Sequence, residues 1–495
     1  MHLRISIVLR AAFLLVVGFS LFAPSPMAET AMIAESFQGT ATERNNARLI
    51  VEDALGIIHV VYYSDGIYHC TSDNGGQDWS YPLLISSIGR NPSLAIDLNN
   101  TLQLVYRSGL LTAYDIVHRS YDGAWSDPAV VHHTYVNPVS RPVIAVDPEN
   151  NLHCVWQQAG AGAIPNSEIW YKKHTPATGW SDGGTNISST YGASEYPTLA
   201  IDADGDLYAF WKDSGEDIGN DKMVLHRKYA AGVGWDAEYT NVSNTSGNGS
   251  YATMDPCAVI DSQGNVHLVW SDSQVGNREI FYKRCTGGVW DTTPANISNS
   301  ATSSRAPTLS LDDQDRLHLA WAEKMDGVYC DVLYRMCESG TGTWTDTENL
   351  SNSEHVDSEH PNGPVRIGDS LRMIWTEGEG SPYAVVISRS SAADANEAAL
   401  PDQAGNWLWQ SRRNPFNPPG TISYAIPQAG NVTIEIYDLT GQRVRRLHDG
   451  YRLAGVHQVT WDGRNGQAGP LASGIYLCRI VSGTRASTGK ICLVE

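Results

Sequence analysis

Positive charge is scarce in this chain. Its 495 residues carry 34 lysines and arginines against 54 aspartates and glutamates, a net charge of −20. A field that acidic repels phosphate backbones and excludes general nucleic-acid binding. No two of the eight cysteines stand in a CxxC pair, so the spacing of a thiolate metal site is missing. Beyond residue 23 no apolar run is long enough to cross a bilayer as a helix. Phenylalanine is rare, at 7, beside 15 tryptophans, 23 tyrosines and 45 glycines. That balance points to many short strands and turns around large amphipathic side chains. The length is too great for one compact core, so two domains are expected.

Residues 1–28 have the form of a secretory signal: Arg4 and Arg10, the apolar run Ala11–Ala23, then small residues to Ala28. The rest is expected to be exported, extracellular or on the outer cell surface, where disulfides are permitted. Cys478 and Cys492, placed symmetrically about Arg485 in a terminal hairpin, form a candidate cross-strand pair. Most other cysteines read as buried small apolar residues. Charge is divided unevenly. Residues 404–495 hold 10 basic and 5 acidic side chains, and residues 29–403 hold 22 and 49, so the net charges are +5 and −27. Two such surfaces imply two jobs.

One unit recurs along residues 29–391: proline, an apolar strand ending in Asp, a short turn, and a strand ending in Trp or Tyr. It reads PVIAVDPENNLHCVW at 142–156, PTLAIDADGDLYAFW at 197–211, PCAVIDSQGNVHLVW at 256–270 and PTLSLDDQDRLHLAW at 307–321. Weaker copies at 47–62, 92–106 and 364–375 bring the total to seven. A third strand follows, such as EIFYKR at 279–284, then a turn carrying Trp79, Trp125, Trp180, Trp235, Trp290 or Trp344, and often a fourth strand. A four-stranded repeat of this length predicts an all-β, seven-bladed β-propeller. The seventh copy lacks its fourth strand. The leader Glu35–Arg44 is similar to fourth-strand segments, so residues 29–44 are expected to complete the last blade and remove two open edges.

Ser72-Asp-Asn-Gly-Gly-Gln-Asp-Trp79 resembles the Asp box of sialidase-type (BNR) propellers, with Asn74 where that family has Asp. In that family the box is a folding element away from the ligand. Residues 392–403 read as a linker. The motifs Asn414-Pro-Phe-Asn-Pro418, Ile436-Tyr-Asp-Leu-Thr-Gly-Gln442, Trp461-Asp-Gly-Arg464 and Ser473-Gly-Ile-Tyr476 then mark residues 404–495 as similar to the FlgD-type immunoglobulin-like domain. That domain also serves as the C-terminal sorting domain of type IX secretion cargo. The resemblance implies a small β-sandwich that engages secretion machinery and sorts or anchors the protein.

No catalytic set, cofactor or metal site is assigned. His59, His153, His267 and His318 recur at one place in four repeats, and a catalytic group is needed only once, so they read as scaffold. The strand-end tryptophans read as core. Asp202-Ala-Asp-Gly-Asp206 begins like a calcium loop, but Leu207 stands where Gly is required, which favours an ordinary turn. Asp213, Asp272, Glu323 and Glu377 recur two residues after a Trp and again read as scaffold, paired with rim arginines. Residues that differ between repeats are more informative. Arg90, Arg141, Tyr196, Asp255, Arg305 and His360 are expected to rim a central channel, and three arginines there suit a carboxylate or sulfate. The loops Gln157–Asn166 and Lys212–Lys222 are expected to set specificity. The leading expectation is a propeller that binds a glycan or other extracellular partner. A sialidase-like hydrolase or polysaccharide lyase at the channel mouth is the second. An envelope interaction scaffold is the third.

Overall fold

The computed structural model describes residues 29–42, 47–109, 114–160, 166–214, 222–243, 254–325, 328–338, 342–353, 356–367 and 370–391 of one compact unit, Met1–Glu397. Of a second unit, Ala398–Glu495, it describes 409–411, 420–426, 430–438, 440–452, 455–466, 469–482 and 485–493. The signal segment, the linker and the Asn414–Pro418 motif lie outside the described residues. So do the middles of the two long loops expected to set specificity. Every regular element described is a β-strand, and no described helix is long and apolar enough to cross a membrane.

Seven antiparallel sheets are described in the first unit, numbered here in chain order. The second sheet shows the plan: Arg90–Ile96 pairs with Leu102–Ser108, then Tyr114–Tyr121, then Ala129–Thr134. In the third to fifth sheets the outer strand breaks into two pieces, such as Gly179–Trp180 and Thr185–Asn186. Both pieces pair with the third strand. Ser-Asp-Gly between them turns the chain and ends the ladder. In the seventh sheet the outer position is filled from the other end of the chain. Glu29–Ser36 runs antiparallel to Tyr383–Ser391, with a bulge between Met32 and Ala34.

First strands of successive sheets are neighbours, and that of the seventh sheet lies beside that of the first. Asn362 ties these two together, accepting the Leu49 N–H at 2.8 Å and donating to the Ala47 carbonyl at 2.6 Å. The period-two pattern decides which residues are buried. Val266, Leu268 and Trp270 enter one apolar cluster while Val269 on the opposite face enters the next. Trp156, Trp211, Trp270, Trp321 and Trp375 are fully enclosed. Each turn Trp from Trp125 to Trp344 packs edge-on against a third-strand ring of the preceding sheet: His69, His118, Tyr171, His226 and Tyr282 in order. The recurring tryptophans therefore join sheets together, which is why they recur.

In the second unit, Trp409–Ser411, Gly420–Ile426 and Gly455–Trp461 form one sheet. Arg443–Arg452, Gly430–Tyr437, Gly474–Ser482 and Arg485–Leu493 form another. Trp461 from the first and Val432, Ile434, Ile436, Cys478 and Ile480 from the second share one core, as in a β-sandwich. The proposed Cys478–Cys492 pair is ruled out by register. Ser482 pairs with Arg485, so the turn centre precedes Arg485, Cys478 stands opposite Gly489, and Cys492 opposite Ile475. The two cysteines occupy register positions three residues apart and on opposite faces of the ladder.

Candidate functional site

The recurring polar residues resolve into scaffold. In the third, fifth and sixth sheets a His is held between an Asp of the first hairpin and a Tyr of the third strand. Nε2 of His153, His267 and His318 meets Asp147, Asp261 and Asp312 at 3.0, 3.1 and 3.1 Å. Their Nδ1 atoms meet the hydroxyls of Tyr171, Tyr282 and Tyr334 at 2.9, 2.8 and 2.7 Å. Burial works against ionising Asp312, yet hydrogen bonds from Arg316, His318 and the Gln314 amide outweigh it and hold the carboxyl well below the usual range. In the first sheet His59 replaces the tyrosine contact with His69, which burial beside His59 pushes down to about 3.

The carboxylates two residues past each Trp are also anchors, and their partners differ from the arginines expected. Glu323 accepts from the Trp321 indole at 2.8 Å and the Ser304 hydroxyl at 3.0 Å. Glu377 does the same with Trp375 and Ser358, both at 3.0 Å, and Asp213 accepts from Ser194 and Thr190 at 2.7 Å. Glu323 and Asp213 are buried and Glu377 is half-buried, and hydroxyl and indole donors, not guanidiniums, satisfy them. Asp202 accepts the amides of Asp204 and Asp206 at 3.1 and 2.9 Å, so this segment is a hairpin turn. Around Asn74, the Oδ1 accepts the Gln77 and Asp78 amides and the Ser72 hydroxyl, at 3.1, 2.9 and 3.0 Å.

Six residues at the entry of the first strands share a backbone device. Asn91, Arg141, Tyr196, Asp255, Ala306 and His360 each precede a proline and have φ between 50° and 56°. Each sits where the register slips, as between Ser140 and Val143. A left-handed residue at a bulge bends the strand and re-aims its side chain. Arg141, Tyr196, Asp255 and His360 thus lie within their strands at equivalent positions, whereas Arg90 and Arg305 lie one residue earlier, in register with the second strand. Counting back from the proline would have separated the two groups.

These residues form three local groups at one end of the sheets. In the first, Arg90 and Arg107 stand opposite each other in the second sheet. The Arg90 guanidinium lies 5.5 Å from the Tyr63 ring and Arg107 lies 5.3 Å from Tyr114. Burial and the charge of Arg90 lower the Arg107 pKa. Next along the second sheet, Asp115 and His133 are joined at 2.5 Å. In the second group Arg141 lies 4.2 Å from the Tyr196 ring and donates to Gln157 at 2.6 Å. Gln157 reaches Glu195 at 3.4 Å, and Lys212 pairs with Glu195 at 2.6 Å. Burial acts to raise the Glu195 carboxyl, but Lys212, Arg141 and Gln157 together pull it down.

In the third group Arg305 is paired with Glu359 of the next sheet and reaches the Cys330 sulfur at 3.1 Å. His360 stands 3.5 Å from the same Glu359. Cys330, Asp357 and Glu359 offer three ligand atoms within 4.8 Å of one another. Arg305 already places a positive charge on Glu359, and Asp357 accepts the Cys330 amide at 2.9 Å. No contact joins Arg90, Arg141 and Arg305 among the described residues. The neglected signal was the residue one past each strand-end aromatic. It reads Tyr63, Arg107, Gln157, Lys212, Ser271, Ala322 and Thr376, and varies in every repeat while its neighbours recur.

Comparison with known proteins agrees with this architecture. Residues 417–486 match the FlgD Ig-like domain. No curated protein matches the chain. A polysaccharide lyase of family PL25, an ulvan lyase bound to -[GlcA(1-4)Rha3S]-, superposes with a TM-score of 0.55 at 12% identity, covering 75% of this chain and 100% of its own. A second structure of a PL25 ulvan lyase superposes at 0.54, again with 12% identity and coverages of 75% and 100%. At such identity the likeness concerns the fold alone. PorZ, a surface component of the type IX secretion system of Porphyromonas gingivalis, has 12% identity over 91% of this chain and 60% of its own, but its TM-score of 0.39 carries no argument. The described chain is all-β: antiparallel sheets that share a fold with these two lyases, then a segment matching the FlgD Ig-like domain.

Proposed function

We propose that the seven sheets form one closed seven-bladed propeller whose strand-entry face binds an anionic glycan, and that the C-terminal domain sorts or anchors the exported protein. The single observation that carries the binding reading is the pair Arg90 and Arg107. The two arginines are cross-strand partners in one ladder, with no carboxylate paired to either among the described residues. The two cations repel each other and one is partly buried, a cost that an incoming carboxylate or sulfate offsets through charge-assisted hydrogen bonds. Arg141 in the next sheet extends the positive stretch. Tyr135 and Tyr191, both 73% exposed, lie in the connections between sheets at this end and offer flat faces for sugar rings. The ulvan lyase that shares the fold is described with a uronate- and sulfate-bearing sugar, which fits the same chemistry. The Asn74 turn supports kinship with Asp-box propellers.

A second reading, cleavage at this end of the sheet, draws on the Asp115–His133 pair, one register position along from Arg107 and on the other side of the ladder. A carboxylate that orients an imidazole suits proton abstraction next to a neutralised uronate. The experiment is a titration of the exported protein with sulfated, uronate-bearing and neutral polysaccharides, with products analysed by mass spectrometry. Arg90→Ala/Arg107→Ala should weaken binding of the anionic glycans at least about a hundredfold, and Arg305→Ala should leave it unchanged. Cleavage abolished in His133→Ala establishes the second reading. Equal retention of neutral and anionic glycans refutes the first.

A further inference from the structure

The axis of the first unit holds a cavity of about 360 Å³ lined by the first strands of all seven sheets. Among the described residues its wall is almost wholly Ala, Val, Leu and Ile, with no carboxylate and one charged side chain, Arg48. Arg48 is exposed and lines the cavity, as suits a side chain on the wall of a channel. Its backbone is fixed, the carbonyl accepting the Leu94 amide at 2.8 Å. Its guanidinium has no ion pair or hydrogen bond among the described residues. Desolvation in the channel lowers its pKa, the shift of a cation without a counter-charge.

Cys257, on the same wall, is the nearest group able to become an anion. Burial raises its thiol pKa despite the Leu309 amide and Arg48, so it stays a neutral thiol at physiological pH. A second orphan lies in the same lining: the buried Ser310 hydroxyl has no partner among the described residues. Asn362 and Thr308, two other polar residues of the wall, are already engaged with Leu49, Ala47 and Gly363. A cation set between apolar walls without a counter-charge favours an incoming anion, and the cavity has room for one together with several water molecules.

We propose that the central cavity binds a small monovalent anion, a halide or a short carboxylate, on the Arg48 guanidinium. The site is separate from the Arg90–Arg107 face and serves the scaffold: the anion neutralises the Arg48 charge and so couples the stability of the first unit to anion supply.

The test is thermal unfolding of the full exported chain at constant ionic strength while chloride, bromide or formate replaces gluconate, a larger and strongly hydrated reference anion. At a hundred times the dissociation constant, the melting temperature of the first unit should rise by about 3–4 °C. Arg48→Met should lose this response and melt higher than the parent in gluconate, because the uncompensated charge is gone. Arg48→Lys keeps the charge and should keep a weaker response, which provides a reading if the Met variant fails to fold. Bromide soaked into crystals should give an anomalous peak beside Arg48. A flat titration of the parent protein overturns the proposal.

Discussion

Ile33 and Met32 are neighbours in sequence, and the structure assigns them opposite fates. Both belong to Glu29–Ser36, the strand that the chain's start lends to the seventh sheet. Ile33 is 8% exposed and packs in a cluster with Ile374, Val385 and Ile387, whereas Met32 is 58% exposed. Replacing Ile33 by Ala removes a buried branched side chain and leaves a gap, at a cost of about 3 kcal/mol. Unfolding entropy is roughly 2.1 cal/mol/K per residue, so a unit of about 360 residues has ~0.76 kcal/mol/K, and the melting temperature should fall by about 4 °C. Met32→Ala should change it by less than about 1 °C. Scanning calorimetry of the exported protein separates the two. Equal shifts for both variants, or no shift for Ile33→Ala, would mean that this strand does not hold the last sheet, and the closure argument would fail.

Acid should destabilise the first unit well before its carboxylates titrate. Burial lowers His69, His118 and His226 from the usual 6.5 of a histidine to about 3, 4 and 4. Their folded pKa lies below the unfolded one, so the stability they contribute is complete above pH 6.5 and is lost as pH falls below it. At pH 5 each costs roughly 2 kcal/mol; a melting temperature at pH 5 equal to that at pH 7.5 would refute this. Glu323→Ala should lower stability by about 3 kcal/mol by stranding the Trp321 indole and the Ser304 hydroxyl. It should leave glycan affinity unchanged, and a parallel loss of binding would instead place Glu323 in the site. Removing residues 398–495 should leave the first unit's melting temperature within about 1 °C but abolish surface retention, read by cell fractionation. Undiminished retention would sink the sorting role.

Much of the architecture is legible in the residues because it is repetitive. Proline, Asp, the turn and the strand-end Trp recur at one spacing, and each has a local cause: a fixed φ at the strand entry, an Asp side chain closing the hairpin turn, a large ring joining two sheets. Recurrence also sorted His153, His267 and His318, together with Glu323 and Glu377, into scaffold, and their contacts with Asp, Tyr, Trp and Ser explain why. The FlgD-like segment was legible for a different reason, since its motifs are local and distinctive.

The site was legible only in part. Arg90 was visible as a residue that varies between repeats, but its facing partner Arg107 is 17 positions away and meets it only through antiparallel register. Arg305 looked equivalent to Arg90, yet a carboxylate from the next sheet neutralises it. The terminal hairpin shows the same limit: moving its turn by a residue or two took Cys478 and Cys492 out of register. Arg48 carried no signal at all, because nothing in a strand's pattern tells which edge will face an enclosed axis. Composition and periodicity dictated the kind of elements, their number and their buried faces, since those follow from local sterics and apolar alternation. Which charges meet, which are neutralised and which stay alone was decided by the packing of distant strands, because electrostatic partners are set by proximity in space.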